Sequence, residues 1–209
     1  MAQKKKNIMT SPKAPCKWAF LSKPNTKWKE EGEYKVTLVF PEDHPFISKL
    51  TELSNEAFEE TKAGLKPAQA KTAKQVLPFK PELDEDGEET GNVEVTFKTN
   101  ASRIDKKTEK VIQMKPRIYD SKNQLVKKEL MIGNGSVLNV NFSYVPQFVK
   151  GECYLSLYLN AVRVVTLVEF APDGSSMFGE AEEDGFDADE FEGGGTEDTE
   201  EKVDDDEEF

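Results

Sequence analysis

From residue 93 onward the chain alternates apolar and polar side chains with a period of two, and that pattern admits little but a β architecture. Val93, Val95 and Phe97 alternate with Glu94, Thr96 and Lys98. Leu138, Val140, Phe142 and Tyr144 alternate with Asn139, Asn141 and Ser143, and Cys153, Leu155, Leu157 and Leu159 alternate with Tyr154, Ser156 and Tyr158. Successive strand side chains point to opposite faces, so each segment has one apolar face to bury. Two earlier segments behave alike: Ala14 to Leu21, ending at Lys23-Pro24, and Glu33 to Phe40, with Tyr34, Val36, Leu38 and Phe40 on one side. A basic turn from Arg103 to Lys110 leads into a returning strand from Val111 to Tyr119, and Asp120-Ser121-Lys122-Asn123 is a turn. Pro146 is expected to break the strand that begins at Val137, and Ala161 to Phe170 reads as a final strand interrupted by Arg163.

One segment changes period. Between Asp43 and Gly64, Phe46, Leu50, Leu53 and Ala57 form a helical stripe joined by Ile47 and Phe58, with Glu52, Glu56, Glu59 and Glu60 on the wet side. Asp43 is the expected N-cap, with Pro45 in the first turn and a helix over about residues 44–63. Residues 65–92 show little periodicity and read as a mobile excursion. Short strands, brief turns and one interrupting helix predict a mostly β chain: an OB-fold, the small antiparallel β-barrel, with one inserted helix. A β-sandwich is the alternative.

The charge is divided unevenly. Residues 180–209 hold 17 carboxylates against the single base Lys202, a net of -16, while the whole chain is -12, which leaves residues 1–179 at +4. A segment so charged and so poor in apolar residues cannot offset the entropy of ordering it, and a disordered acidic tail ending in Phe209 is expected. The predicted organisation is a basic flexible arm over 1–13, the barrel over 14–179 and the tail over 180–209.

Several function classes fall away. One histidine, His44, and the absence of any Cys-x-x-Cys argue against a structural zinc set, so no metal and no cofactor is expected. His44 stands at a helix start and reads as a capping or surface residue. Cys16 and Cys153, far apart, read as reduced and partly buried thiols. The Gly-x-Gly of Gly133-Asn134-Gly135 lacks the Lys-Ser/Thr of a P-loop and reads as a tight turn. Acid pairs such as Asp84 and Asp86 lie in a polar stretch, and no nucleophile–base set is visible, so an enzyme is not expected. No run approaches the roughly 18 apolar residues of a membrane span, and the basic N-terminus has no apolar segment behind it, which predicts a cytosolic protein.

A basic, aromatic-rich β body suggests single-stranded nucleic acid, where a positive groove follows phosphates and rings stack on unpaired bases. Candidate rings are Trp18, Phe20, Trp28, Tyr119, Phe148, Tyr154 and Tyr158, and candidate phosphate contacts are Lys17, Lys23, Arg103, Lys106, Lys107, Lys110, Lys115, Arg117 and Lys150. Each has a structural alternative: strand aromatics are commonly core, and a basic turn is commonly a solvated hairpin. The rival function is an acidic DNA mimic or chaperone-like binder of basic proteins, which fits the tail but not the body.

The chain resembles the phage-encoded single-stranded DNA-binding proteins of the T-seven-like podovirus type and their relatives in other tailed phages. The likeness rests on Trp18-Ala19-Phe20-Leu21-Ser22-Lys23-Pro24, Gly32-Glu33-Tyr34-Lys35-Val36-Thr37-Leu38, Asp105-Lys106-Lys107-Thr108, Asp120-Ser121-Lys122, Ile132-Gly133-Asn134-Gly135-Ser136 and Ser143-Tyr144-Val145-Pro146. The acidic tail ending in phenylalanine completes it. The resemblance implies an OB-fold that coats single-stranded DNA in replication, recombination and repair in the cytoplasm of an infected bacterial host, and that promotes strand annealing. It implies DNA contact at Lys106-Lys107 and after Pro146. Here Gln147-Phe148 stands where relatives carry a tyrosine, which moves the stacking role to Phe148. It further implies that the tail, through Asp204, Asp205, Asp206, Glu207, Glu208 and Phe209, docks on DNA polymerase and helicase-primase, and that the chain is a monomer or a homodimer.

Overall fold

The computed structural model describes residues 7–27, 29–105 and 108–170. Trp28, Lys106, Lys107 and the whole expected tail, with Asp204 to Phe209, therefore lie outside the described residues. Within them run β1 (Asn7–Thr10), β2 (Ala14–Asn25), β3 (Glu33–Pro41), α1 (Pro45–Ala63), α2 (Pro67–Thr72), β4 (Lys74–Val76), β5 (Phe79–Leu83), β6 (Glu89–Asn100), β7 (Ser102–Ile104), β8 (Val111–Gln113), β9 (Arg117–Tyr119), β10 (Val137–Val149) and β11 (Glu152–Thr166).

Five strands pair around a ring: β2 with β3, β3 with β6, β6 with β11, β11 with β10, and β10 back with β2. All joints are antiparallel except β6–β11, which is parallel and rests on the single pair Lys98–Tyr158. This is a partly open OB barrel, as the strand pattern predicts. Val36, Leu38, Phe40, Val95, Phe97, Leu138, Val140 and Phe142 fill it and are almost wholly inaccessible. The Phe97 and Phe142 rings lie 4.9 Å apart, centroid to centroid. Helix α1 covers the core with Phe46, Ile47 and Leu50, and Phe46 meets the Phe142 ring edge-on at 6.2 Å.

The structure departs from the sequence expectations at identifiable points. His44, not Asp43, caps α1: its Nδ1 accepts the Phe46 N–H at 3.0 Å while its ring packs on Phe40. Residues 7–10, placed in the flexible arm, form β1 and pair with β10 from Asn7–Tyr144 to Thr10–Asn141. The 65–92 excursion carries a second helix, α2, and the strands β4 and β5, which pair with β11 and β6. Pro146 does not end its strand. β10 runs through it to Val149, with Pro146 set opposite Leu155 of β11. The two strands expected over 153–170 are one, β11, with a bulge where Asn141 faces Ala161 and Phe142 faces Leu159. The strand expected from Val111 to Tyr119 is split at Met114–Pro116, and its second half, β9, leaves β7 to lie parallel to β11.

Cys16 and Cys153 are free and buried, and burial pushes the Cys16 thiol up to about 11. Ser136, whose hydroxyl donates to the Gly133 carbonyl at 2.9 Å and accepts the Val168 N–H at 2.9 Å, ties the Gly133-Asn134-Gly135 turn to the chain beyond β11.

Polar chemistry also braces the ring. Glu82, buried on β5, accepts from the Lys17 ammonium of β2, from the Thr90 hydroxyl at 2.7 Å and from the Asn92 amide at 2.9 Å. Lys17 reaches Glu94 as well, at 3.7 Å. Chiefly through the Lys17 hydrogen bond, the Glu82 carboxyl is held down to about 2 from its ordinary 4.5. A carboxyl depressed by folding contributes stability that is present above about 4.5 and lost as pH falls towards 2. Glu82→Gln should therefore lower unfolding free energy at pH 7 by about 1–3 kcal/mol. In thermal melts its stability should also fall less steeply than the parent's between pH 4.5 and 2.

Candidate nucleic-acid interface

The inward rows of the barrel strands decide what faces out. Because Leu155, Leu157 and Leu159 are buried, Tyr154, Ser156 and Tyr158 take the outer face of β11. Burial of Tyr34, Val36 and Leu38 on β3 turns Lys35 outward, and burial of Phe97 and Thr99 on β6 does the same for Lys98. The register then sets these side chains in one row across four strands. Phe20 pairs with Lys35, Lys35 with Lys98, and Lys98 with Tyr158. The row thus has an aromatic at each end, both over one-third exposed (Phe20 36%, Tyr158 37%), and two ammonium groups between. The Lys35 ammonium stands 6.0 Å from the centre of the Phe20 ring.

Part of this row, Lys98 and Tyr158, floors a trough of about 640 Å³. One wall is Lys29, whose ammonium donates to Asn100 Oδ1 at 3.1 Å and pairs with Glu33 at 3.7 Å. Phe79 and Lys80 of β5 form another, with Lys80 held 2.9 Å from Glu94. The β10–β11 hairpin supplies Gln147, Tyr154 and Ser156, and Gln147 donates to the Tyr158 hydroxyl. The hairpin turns on Lys150 (φ 54) and Gly151 (φ 88), the two positive angles of a type I′ turn, so Lys150 sits exposed at the tip. The opposite loop returns at Gly32 (φ 76), where an added Cβ would lie 2.9 Å from Pro24. Four lysines and two glutamates line or floor the site, counting Lys35 in the row. Lys35 and Lys98 make no ion pair among the described residues, so the uncompensated charge is central.

The predicted site residues fall into separate places. Tyr154 and Tyr158 share the trough, with Lys150 at the tip of its hairpin. Phe148 is on β10, not in a loop, and pairs with buried Cys153, so it shares the core-side face and Gln147 is its outward neighbour. Lys115, Arg117 and Tyr119 line a second trough of about 700 Å³ with Arg163, Asn141 and Asn160. There the Arg163 guanidinium donates to Asn139 Oδ1 at 2.7 Å and to Asn123 Oδ1 at 3.3 Å. Arg103 lies on β7, in the hairpin that rises beside Gln113, and Lys110 closes its turn by accepting the Asp105 N–H. Lys17 is committed to Glu82 and Glu94. Trp18 and Lys23 lie apart in an apolar pit, and Lys23 pairs with Glu129 at 3.6 Å. Sequence reasoning missed Lys29, Lys35, Lys80, Lys98 and Gln147. Lys35 and Lys98 did carry a signal, since each fills the polar slot of an alternating strand, but only the register makes them neighbours.

A five-stranded barrel whose second and third strands carry a basic face, flanked by the loop between its first two strands and the hairpin of its last two, belongs to the class of oligonucleotide-binding OB barrels. Residues 14–167 match the family described as "Single-stranded DNA-binding protein, Bacteriophage T7", and the chain belongs to that family. It is 29% identical over 198 residues to the single-stranded DNA-binding protein of Escherichia phage T7, a match covering 87% of this chain and 85% of the relative. It is 30% identical over 203 residues to that of Enterobacteria phage T3, covering 88% and 87%. Among solved structures it superposes on gp2.5, a single-stranded DNA-binding protein encoded by bacteriophage T7, with a TM-score of 0.64 and 27% identity, over 88% of this chain and 99% of that one. The single-stranded DNA-binding protein of bacteriophage Enc34, solved in complex with single-stranded DNA, has a TM-score of 0.53 at 16% identity, over 80% and 95%, and shares the fold. These relatives are named as binding proteins, not enzymes.

Proposed function

We propose that this phage single-stranded DNA-binding protein coats single strands during replication, recombination and repair in the host cytoplasm, laying them across the outer face of β3, β6 and β11. The observation that carries the reading is the cross-strand row Phe20–Lys35–Lys98–Tyr158. Its lysines meet phosphates and its rings, with Tyr154, meet bases. Stacking is worth about 1–3 kcal/mol per base and is nearly blind to sequence. Lys29 and Lys150 flank the path, and Trp28, the preceding residue in sequence, is a further candidate ring. Beyond Tyr158 the strand continues along β11 into the second trough, past Lys115, Arg117 and Tyr119, towards Arg103, Lys106, Lys107 and Lys110. By neutralising phosphates and splaying bases, the same surface promotes annealing of complementary strands.

In this reading the acidic tail is a tethered competitor. Its carboxylates stand in for phosphates and its phenylalanines for bases, at an effective concentration on the order of mM for a short flexible tether. Displaced by DNA, the tail offers Asp204, Asp205, Asp206, Glu207, Glu208 and Phe209 to a basic, apolar-floored pocket on the DNA polymerase or helicase-primase. The coating unit is a monomer or a homodimer.

Four measurements test this reading. For single strands the log–log salt slope is about -0.7 per neutralised phosphate. Replacing Lys35 and Lys98 together with Ala should thus make the slope shallower by about 1.4, and an unchanged slope would remove these lysines from the path. Tyr158→Ala should cost about 1–3 kcal/mol of oligo-dT affinity with the slope unaltered. A chain ending at Gly179 should bind oligo-dT more tightly than the full chain, most visibly at low salt. Deleting Phe209 alone should spare DNA binding and weaken the polymerase or helicase-primase contact.

A further inference from the structure

Trp18 is held in a conformation that a bulky residue rarely adopts. Its φ is +54, in the left-handed region, and it lies inside β2, where the β2–β3 register slips between Lys17 and Phe20. The other non-glycine residues with positive φ, Glu109, Asn123 and Lys150, sit at turns. The Trp18 N–H is taken by Asn134 Oδ1 at 2.9 Å, and the indole is left 56% exposed. Strain of this kind persists where the surroundings enforce it and commonly marks a working site.

The indole forms one lip of a pit of about 240 Å³, walled also by Phe20, Leu21, Leu130, Met131 and Phe170. Its lining shares no residue with either trough. Met131 and Phe170 are themselves well exposed, so the pit concentrates apolar surface that a free-standing protein would cover. We propose that it is an intramolecular dock for Met177-Phe178, the first pair of large apolar side chains beyond Phe170.

Three observations select that occupant. The first is continuity. Phe170 is part of the wall, fixed by its N–H to the Met131 carbonyl at 3.1 Å, and the chain continues from it. Phe178 is eight residues further on, a reach of at most about 28 Å, and Gly174-Ser175-Ser176 lets the chain double back. The second is size. A cavity of roughly 150 Å³ holds benzene, so the pit accepts one phenyl ring with a thioether beside it, and methionine sulfur packs well at aromatic edges. The third is charge. Glu180, Glu182, Glu183 and Asp184 follow at once, while Lys127 and Lys128 stand exposed near the pit, where Lys23 and Glu129 already pair with each other. Phe20 belongs both to this wall and to one end of the cross-strand row, so the dock abuts the proposed DNA path without using its lysines. It would fix the root of the acidic segment to one side of the barrel.

Trp18 reports on the dock directly. The chain has two tryptophans, so Trp28→Phe leaves Trp18 as the sole indole. In the full-length W28F protein its emission should be blue-shifted and shielded from acrylamide. Adding Phe178→Ala should move the emission to the red and raise quenching, and Met131→Glu on the pit wall should do the same. A peptide of residues 175–186 titrated onto the W28F/F178A protein should restore the blue emission saturably. Circular dichroism matching the parent's keeps these readings interpretable. Emission that is unmoved by F178A would overturn the proposal. So would an indole shielded by oligo-dT but not by the peptide, which would make the pit a base-binding site.

Discussion

Burial of one row of side chains on β11 fixes the rest of the molecule. Cys153, Leu155, Leu157 and Leu159 go into the core, and the period of two leaves Tyr154, Ser156 and Tyr158 no choice but the outer surface. A slip of one residue would exchange the two sets, drowning the tyrosines and exposing the leucines. β11 is also the strand on which β10, β6, β4 and β9 all pair. The hydrophobic term that stabilises the barrel therefore also aims the binding surface, and no separate device is needed to orient it.

Electrostatics work on top of that frame at two levels. Inside the fold, Lys17 serves structure: it neutralises Glu82 and Glu94 and joins β2 to β5 and β6. On the outer face, Lys35 and Lys98 have no such partner among the described residues, and their charge is available to a polyanion. Similar lysines are thus either committed to the fold or left open on its surface according to whether a carboxylate is set beside them.

The barrel was readable because its strands announce themselves locally: Val36, Leu38 and Phe40 alternate, and the Phe46–Leu50–Ala57 stripe is helical. What local pattern could not reach were the long-range choices. Pro146 looks like a stop, yet β10 runs on through it, paired with Leu155 of β11. Phe148 looks like a loop aromatic until the pairing with Cys153 assigns its face. His44 displaced Asp43 as the cap because its ring also packs on Phe40, a contact visible only in three dimensions. The proposed surface was half legible: elimination from the leucine face puts Tyr154 and Tyr158 on the outside, where the structure has them. Lys35 and Lys98, 63 positions apart in sequence, become neighbours only through the register of β3 on β6. Family motifs located Trp18, but not its separation from the tyrosines.

The joint between β6 and β11 rests on one pair, Lys98 with Tyr158, whereas β3–β6 pairs from Glu33–Asn100 to Pro41–Asn92. A barrel gives way first where its ladder is thinnest, and here the thinnest seam runs directly beneath the row proposed to bind DNA. A purine wedged between Lys98 and Tyr158 would press on a single rung, while the leucine and phenylalanine core stays laced by the full ladders on either side. If the proposed row does take a strand, the outer face would yield there with the least loss of paired backbone.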